Sequence, residues 1–165
     1  MSERIKISSR EEYEAQVKAG AEPLLDSAFD LDIELRVAIQ DELFGSQDND
    51  GNRHNFFIWL WQRKVHVCEE TGAFLGHTMH AEYMSHILTR GAHVEMWNDP
   101  RNINVLAREA HRKWETGKRE KMRIWDKNKE VIATLKAEYS KLKPYNVFPK
   151  ESNPPKLCPH CGYPI

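Results

Sequence analysis

The fold is decided by residues 82–115, whose sequence is EYMSHILTRGAHVEMWNDPRNINVLAREAHRKWE. Its pattern predicts a strand, a loop with an Asn-Asp-Pro turn signature, a short second strand and then a helix. His86 ends the first strand, Asn102 follows 16 residues later, and His111 lies nine residues further on, within the helix. Glu115 stands four residues after His111, so the two side chains share one face of that helix.

The composition of the whole chain is typical of a soluble globular protein, with 40% hydrophobic and 30% charged residues. A chain of 165 residues predicts one domain with room for a small appendage.

No apolar run approaches the roughly 18 residues of a spanning helix, and the first residues lack an apolar signal-peptide core. We therefore expect a cytoplasmic protein that does not bind a membrane. Three cysteines, an odd count, argue against a disulfide framework.

The formal charge is divided unevenly along the chain. Residues 1–50 contain 13 Asp and Glu against 5 Lys and Arg, whereas residues 101–129 contain 10 Lys and Arg against 4 Asp and Glu. A positive segment suits a polyanion, because Lys and Arg displace the counterions that condense on phosphates. The alternative is a solvated helix face with i,i+4 ion pairs. The candidate nucleic-acid-binding residues are Arg90, Arg108, Arg112, Lys113, Lys118, Arg119 and Arg123.

The chain divides into an acidic helical segment at 1–50, a core at 51–143 and a Pro-rich tail at 144–165. In the first segment Ser9 and Glu12 form a capping box. An apolar helical face then runs from Leu24 to Leu43, with Asp30 and Asp32 as points where the helix can break. This segment is interpreted as a scaffold or as a surface for a protein partner.

The core predicts further elements on both sides of the opening stretch. Residues 55–67, NFFIWLWQRKVHV, are aromatic and β-branched and predict a strand, and a tight turn ending at Gly72 follows. The helix that holds His111 is expected to begin near residue 104 and to end at Gly117. A long second helix with an apolar stripe follows, and Pro144 closes it.

The residues at 86, 102 and 111 carry a resemblance to a known family. The stretch resembles the HNH, or ββα-metal, endonuclease motif, particularly that of small HNH proteins from phages and mobile elements, and the resemblance covers about residues 55–125. It implies an α+β fold with a ββα-metal core, extended here by N-terminal helices, a long C-terminal helix and a short zinc-knuckle-like tail. It also implies cleavage of DNA with Mg²⁺ or Mn²⁺, inside a bacterial or phage-infected cell.

The resemblance assigns a role to each matched residue. His86 matches the general base, Asn102 the asparagine that supports it, and His111 the histidine that binds the divalent ion. Glu115 falls where some members have a further ligand. Ser85 occupies the position of a metal-binding Asp or His in many members. A hard ion such as Mg²⁺ can complete its coordination with water and phosphate oxygens, so a site with Ser85 is still expected to function.

A structural Zn²⁺ is predicted at the tail. Cys158 and Cys161 are separated by two residues, and thiolates at this spacing suit zinc, which takes four ligands. Cys68 is the expected third ligand. The fourth remains open among His66, His77, His80 and His160. Many HNH proteins hold zinc with two Cys-x-x-Cys pairs, and here the matching positions are Cys68 with Thr71 and Ala107 with Ala110.

Three functions are considered from the sequence. The first is a metal-dependent DNA endonuclease, in which a neutral histidine takes a proton from water beside a divalent ion. The second is a non-catalytic nucleic-acid-binding or assembly protein on an HNH scaffold, for which Ser85 argues. The third is a zinc-stabilised adaptor whose acidic N-terminal helices bind a protein partner.

Overall fold

The computed structural model describes residues 5–19 and 29–142, and in these ranges it contains five α-helices and two small two-stranded sheets. The α+β class predicted from the sequence is confirmed. In chain order the elements are β1 (Ile5–Ile7), α1 (Arg10–Lys18), β2 (Phe29–Leu31), α2 (Ile33–Phe44), α3 (Asp50–Trp61), β3 (Met84–His86), β4 (Ile103–Val105), α4 (Arg108–Glu115) and α5 (Trp125–Tyr139).

The stretch 82–115 folds in the predicted order of strand, loop, strand and helix. β3 and β4 are antiparallel, and their register pairs Met84 with Val105, Ser85 with Asn104 and His86 with Ile103. α4 begins at residue 108 and not near 104, because residues 103–105 are held in the ladder with β3. The helix ends before Gly117, whose φ of 89° places it in the left-handed region that glycine adopts without strain.

The predicted strand over residues 55–67 is wrong, because most of this segment belongs to helix α3. The side chain of Asn49 caps the helix by accepting a hydrogen bond from the backbone N–H of Asn52 at 2.9 Å. The aromatic residues then fall on one helical face, where Phe56 packs against Phe44 and Trp97. Tertiary packing of this face outweighs the β-propensity of its residues. The turn at 68–72 is confirmed by the hydrogen bond from the Gly72 N–H to the Cys68 carbonyl at 2.8 Å.

The acidic N-terminal segment contributes to the same core as the hairpin. Ser9 caps α1 by accepting from the Glu12 N–H at 3.2 Å, as the capping box predicts. Asp32 caps α2, so the helix breaks here, and β2 precedes it and runs parallel to β1. The apolar side of α2 faces inward. This places α2 as scaffold within the described chain, while a protein partner for the acidic surface stays a prediction.

The β3–β4 hairpin separates two hydrophobic clusters. On one face, Met84, Ile103 and Val105 pack with residues of α2 and α3. On the other face lies a second cluster that includes Ile87, Leu106 and the α4 residues Ala110 and Trp114. A third cluster joins α2 to the end of α5 through Val37, Leu135 and Tyr139. Each position in the hairpin therefore faces either α3 or α4, and this determines where the candidate functional side chains lie.

The C-terminal helix is confirmed as α5, and its Leu135 and Tyr139 are buried. The zinc-knuckle-like tail with Cys158, His160 and Cys161 lies outside the described residues. Within the described chain, none of the helices combines the length and apolar character needed to cross a bilayer.

Candidate active site

His86 lies at the end of β3 and shares a hairpin face with Met84, so its ring is directed toward α3. The centroid of its ring is 6.0 Å from that of Phe57. Its Nε2 atom is 3.0 Å from the carbonyl oxygen of Trp97. Because a carbonyl only accepts hydrogen bonds, Nε2 donates its proton and the lone pair of the neutral ring is on Nδ1. The contact assigns the tautomer that leaves Nδ1 free to act as a base.

Burial lowers the pKa of His86 from the usual 6.5 to about 4, and the bond to Trp97 offsets only part of this effect. The positive charges of Arg90 and Arg53 also lower this pKa, whereas Asp48 raises it. The ring is therefore neutral near pH 7. A neutral imidazole is the form that takes a proton from water.

The depressed pKa of His86 predicts a loss of stability in mild acid. Between pH 4 and 6.5 the unfolded chain binds more protons than the folded protein, so stability rises with pH across this window. The free energy of unfolding is therefore about 2 kcal/mol lower at pH 5 than above pH 6.5. Urea unfolding at pH 5 and above pH 6.5 should show this loss of stability in the wild type. The loss should be smaller by about 2 kcal/mol in His86→Gln, which has no imidazole to titrate. An equal loss in both proteins would show that His86 does not titrate in this way.

Asn102 is fully buried and fixes the loop that follows β3. Its Oδ1 accepts from the Leu88 N–H at 2.8 Å, and its Nδ2 donates to the carbonyls of Leu88 at 3.1 Å and Met96 at 3.2 Å. The side chain thus joins the two ends of the loop between β3 and β4. Trp97, whose carbonyl contacts His86, directly follows Met96, so Asn102 and His86 belong to one hydrogen-bonded arrangement.

His111 and Glu115 are brought together on α4. His111 Nδ1 lies 2.6 Å from the carbonyl oxygen of Glu82 and therefore donates to it, which leaves the lone pair of a neutral ring on Nε2. This Nε2 atom is 3.1 Å from Glu115 Oε1. Two acceptor atoms at this distance repel each other unless a proton or a metal cation lies between or beside them. One nitrogen and one carboxylate oxygen form a suitable partial ligand set for a divalent ion.

Ser85 lies on the hairpin face that α4 covers. Successive strand residues point to opposite faces, so Ser85 shares the side of Ile87, to whose carbonyl Trp114 of α4 donates at 3.2 Å. Ser85 and its register partner Asn104 are fully buried, and their side-chain polar atoms have no hydrogen-bond partner among the described residues. A buried polar group without a partner is uncommon and indicates a missing ligand or water.

The structure thus separates the predicted site residues into two groups. His86 belongs to the α3 side of β3 and Asn102 bonds to the loop between β3 and β4, whereas His111, Glu115 and Ser85 belong to the α4 side. No group of three or more His, Cys, Asp or Glu side chains in the described chain is arranged to hold a metal ion. The α4 pair therefore supplies only two ligands among the residues that the structure describes.

The predicted basic residues differ in their contacts. Arg119 donates to the Trp114 carbonyl at 2.7 Å, and Arg123 donates to the Glu69 carbonyl at 2.9 Å, so both hold the fold together. Arg108 pairs with Glu82 at 2.6 Å, and Arg90 pairs with Asp48 at 2.9 Å. Three further members of the set have exposed side chains on or just after α4, namely Arg112, Lys113 and Lys118.

Cys68 lies where the resemblance places a zinc site. It is fully buried in one cluster with Ala110, and Ala107 packs against that cluster. Burial raises the pKa of its thiol, but hydrogen bonds from the Ala107 backbone and from Thr71 outweigh this, and the pKa lies below its usual value. The four positions that the resemblance matches to zinc ligands, 68, 71, 107 and 110, therefore adjoin one another. Zinc binding by Cys68 with Cys158 and Cys161 stays a prediction.

Several contacts within the candidate site were not predicted from the sequence. The carbonyls of Trp97 and Glu82 orient the two histidines, and a backbone carbonyl has no residue-type signal. Asn104 could have been found, because it alternates with Ile103 and Val105 in a strand and must then be buried opposite Ser85. Comparison with known proteins assigns no family or function, because no family model, no curated protein and no solved structure matches this chain.

Proposed function

We propose that this protein is a metal-dependent DNA endonuclease of the HNH type, which hydrolyses phosphodiester bonds. The observation that carries the proposal is the state of His86. Its ring is neutral, its Nε2 proton is bound to the Trp97 carbonyl, and Asn102 bonds to Met96, the residue before Trp97 in the loop. The bond to a backbone carbonyl orients the ring and leaves the lone pair on Nδ1, and this orientation is what supports a role in activating a water molecule.

In the proposed reaction the Nδ1 atom of His86 takes a proton from the attacking water. Asn102 keeps the base in place through the loop, as a positioning residue. His111 Nε2 and Glu115 Oε1 would hold Mg²⁺ or Mn²⁺, with the Ser85 hydroxyl as a third protein donor. When bound, the ion supplies charge stabilisation to the phosphate and the leaving oxygen. Ser85 and His86 are adjacent but point to opposite faces of the hairpin, so the proposed reaction requires the phosphodiester to lie across the end of β3 and to reach both faces.

The donor set fits a hard divalent ion that keeps several water ligands. Support comes from two features: the 3.1 Å approach of His111 Nε2 to Glu115 Oε1, and the Ser85 hydroxyl without a partner among the described residues. The exposed Arg112, Lys113 and Lys118 offer phosphate contacts near this pair. The direct test is conversion of supercoiled plasmid in Mg²⁺, Mn²⁺ or EDTA.

Replacing Ser85 by aspartate should strengthen metal binding. The new carboxylate would be buried on the α4 side, so in EDTA we expect Ser85→Asp to melt at a lower temperature than the wild type. Mn²⁺ should raise the melting temperature of Ser85→Asp by more than that of the wild type, since bound ligand stabilises the folded state. Ser85→Ala is the matched control and should respond to Mn²⁺ no more than the wild type. Equal responses of the aspartate and alanine variants would show that position 85 is not part of a metal site.

Ser85 also favours the second candidate, a non-catalytic nucleic-acid-binding or assembly protein. With only two strong ligands, both on α4, the site would bind a divalent ion less tightly than a site with Asp or His at position 85. The basic surface would be unaffected. DNA binding in EDTA together with no plasmid cleavage in Mg²⁺ or Mn²⁺ would favour this function.

A further inference from the structure

Asp48 connects two arginines that come from different parts of the chain. Its Oδ1 accepts from Arg53 Nη2 at 2.8 Å and from Arg53 Nε at 2.9 Å, while its Oδ2 accepts from Arg90 Nη1 at 2.9 Å. The Asp48 side chain is only 14% exposed, whereas that of Arg90 is 37% exposed. One mostly buried carboxylate thus holds two guanidinium groups side by side, and the three side chains carry a net positive charge.

These arginines lie beside His86. Arg53 and Phe57 are four residues apart on α3 and therefore share a helix face, and the Phe57 ring is 6.0 Å from the His86 ring. Arg90 follows His86 by four residues in the loop after β3. The charges of Arg53, Arg90 and Asp48 all act on the pKa of His86, as expected for groups that lie near its ring.

We propose that Arg53 and Arg90, held by Asp48, form a phosphate-binding clamp beside His86 that binds the nucleic-acid backbone. A guanidinium binds phosphate through two parallel N–H groups, and its planar shape suits this contact. Arg90 uses Nη1 for Asp48, so Nε and Nη2 are its remaining donors. Arg53 also contacts Asp50 at 3.0 Å through Nη1, but Asp50 is fully exposed and such a pair is weak. Phosphate can therefore replace Asp50 on Arg53.

A catalytic role of the clamp rests on the proposed function, because it requires His86 to be the general base. Binding of phosphate by the arginines does not depend on cleavage. The test therefore measures the affinity of the full chain for short duplex DNA in EDTA, with fluorescence anisotropy as the readout and circular dichroism as the check on folding.

Arg53→Gln and Arg90→Gln should each weaken DNA binding about tenfold. Each variant should also reduce the slope of log affinity against log salt by about one, as expected for one lost phosphate contact. Arg63→Gln is the matched control. It removes the same charge just after α3, where the Arg63 guanidinium lies 4.1 Å from the centre of the Trp59 ring and not beside His86. Its affinity and salt slope should stay close to those of the wild type.

Asp48→Asn separates a clamp from simple charge attraction. Removing a carboxylate next to DNA should tighten binding if only net charge matters, whereas loss of the clamp geometry should weaken it. Tighter or unchanged binding by folded Asp48→Asn, or arginine variants that bind like Arg63→Gln, would overturn the clamp. If the arginine variants bind weakly but the wild type never cuts plasmid, the clamp stands and the nuclease function fails. If the wild type cuts and the arginine variants bind normally, only the clamp fails.

Discussion

Replacing His86 by glutamine is expected to lower the rate of Mg²⁺-dependent DNA cleavage by about 10²–10⁴-fold, the usual effect of removing a general base. Glutamine offers an amide N–H to the Trp97 carbonyl, which now accepts from His86 Nε2 at 3.0 Å. It lacks a basic nitrogen in place of Nδ1. DNA affinity in EDTA should therefore stay near the wild-type value while single-turnover cleavage is lost.

A matched control for this substitution is His54→Gln. His54 is exposed on α3 and belongs neither to the candidate site nor to the predicted zinc ligands. This variant should cleave at the wild-type rate. Wild-type cleavage by folded His86→Gln would remove His86 as the base, and weak DNA binding by this variant would indicate a binding role instead.

Asn102→Ala is expected to have the largest effect on stability. It would leave the buried N–H and carbonyl of Leu88 without a partner, while the Met96 carbonyl would still accept from the Asp99 N–H at 3.3 Å. Each unsatisfied buried group costs about 1–3 kcal/mol, so the free energy of unfolding should fall by about 3 kcal/mol or more. For a chain of this size the melting temperature should fall by about 6–12 °C. Cleavage should also fall, because the Trp97 carbonyl is no longer fixed.

Asn102→Asp tests the direction of these hydrogen bonds. A carboxylate can accept from the Leu88 N–H, but it cannot donate to the carbonyls of Leu88 and Met96. We therefore expect it to destabilise the protein at least as much as alanine does. Asn55→Ala, on the exposed surface of α3, is the control and should change stability by less than about 0.5 kcal/mol. A stable Asn102→Asp protein would contradict the donor assignment of the Asn102 amide.

The order of elements in 82–115 could be predicted because local signals there agree with the tertiary structure. The alternating strand residues, the Asn-Asp-Pro turn and the helical spacing all indicate what the chain forms. Residues 55–67 show the opposite case. Their aromatic residues have high β-propensity, but the Asn49 cap and packing on Phe44 favour a helix. Packing against a distant segment is not visible in a local window.

The sequence predicted which side chains belong to the candidate site, but not how distant segments bring them together. Residue types and spacing identified His86, Asn102 and His111, and the structure places each of them in a specific hydrogen-bonded position. The pairing of Arg53 with Arg90 through Asp48 joins segments about 40 residues apart in sequence, and no spacing rule connects them. The hairpin register, which puts Ser85 and His86 on opposite faces, likewise depends on pairing with β4.

Cleavage of supercoiled plasmid by purified full-length protein tests the central claim most directly. The wild type and His86→Gln are incubated with plasmid in Mg²⁺, in Mn²⁺ and in EDTA. We expect nicked or linear plasmid for the wild type with either metal, none in EDTA, and a loss of at least about 10²-fold in rate for the variant. Intact plasmid in every wild-type reaction, or equal cleavage by His86→Gln, would contradict the central claim.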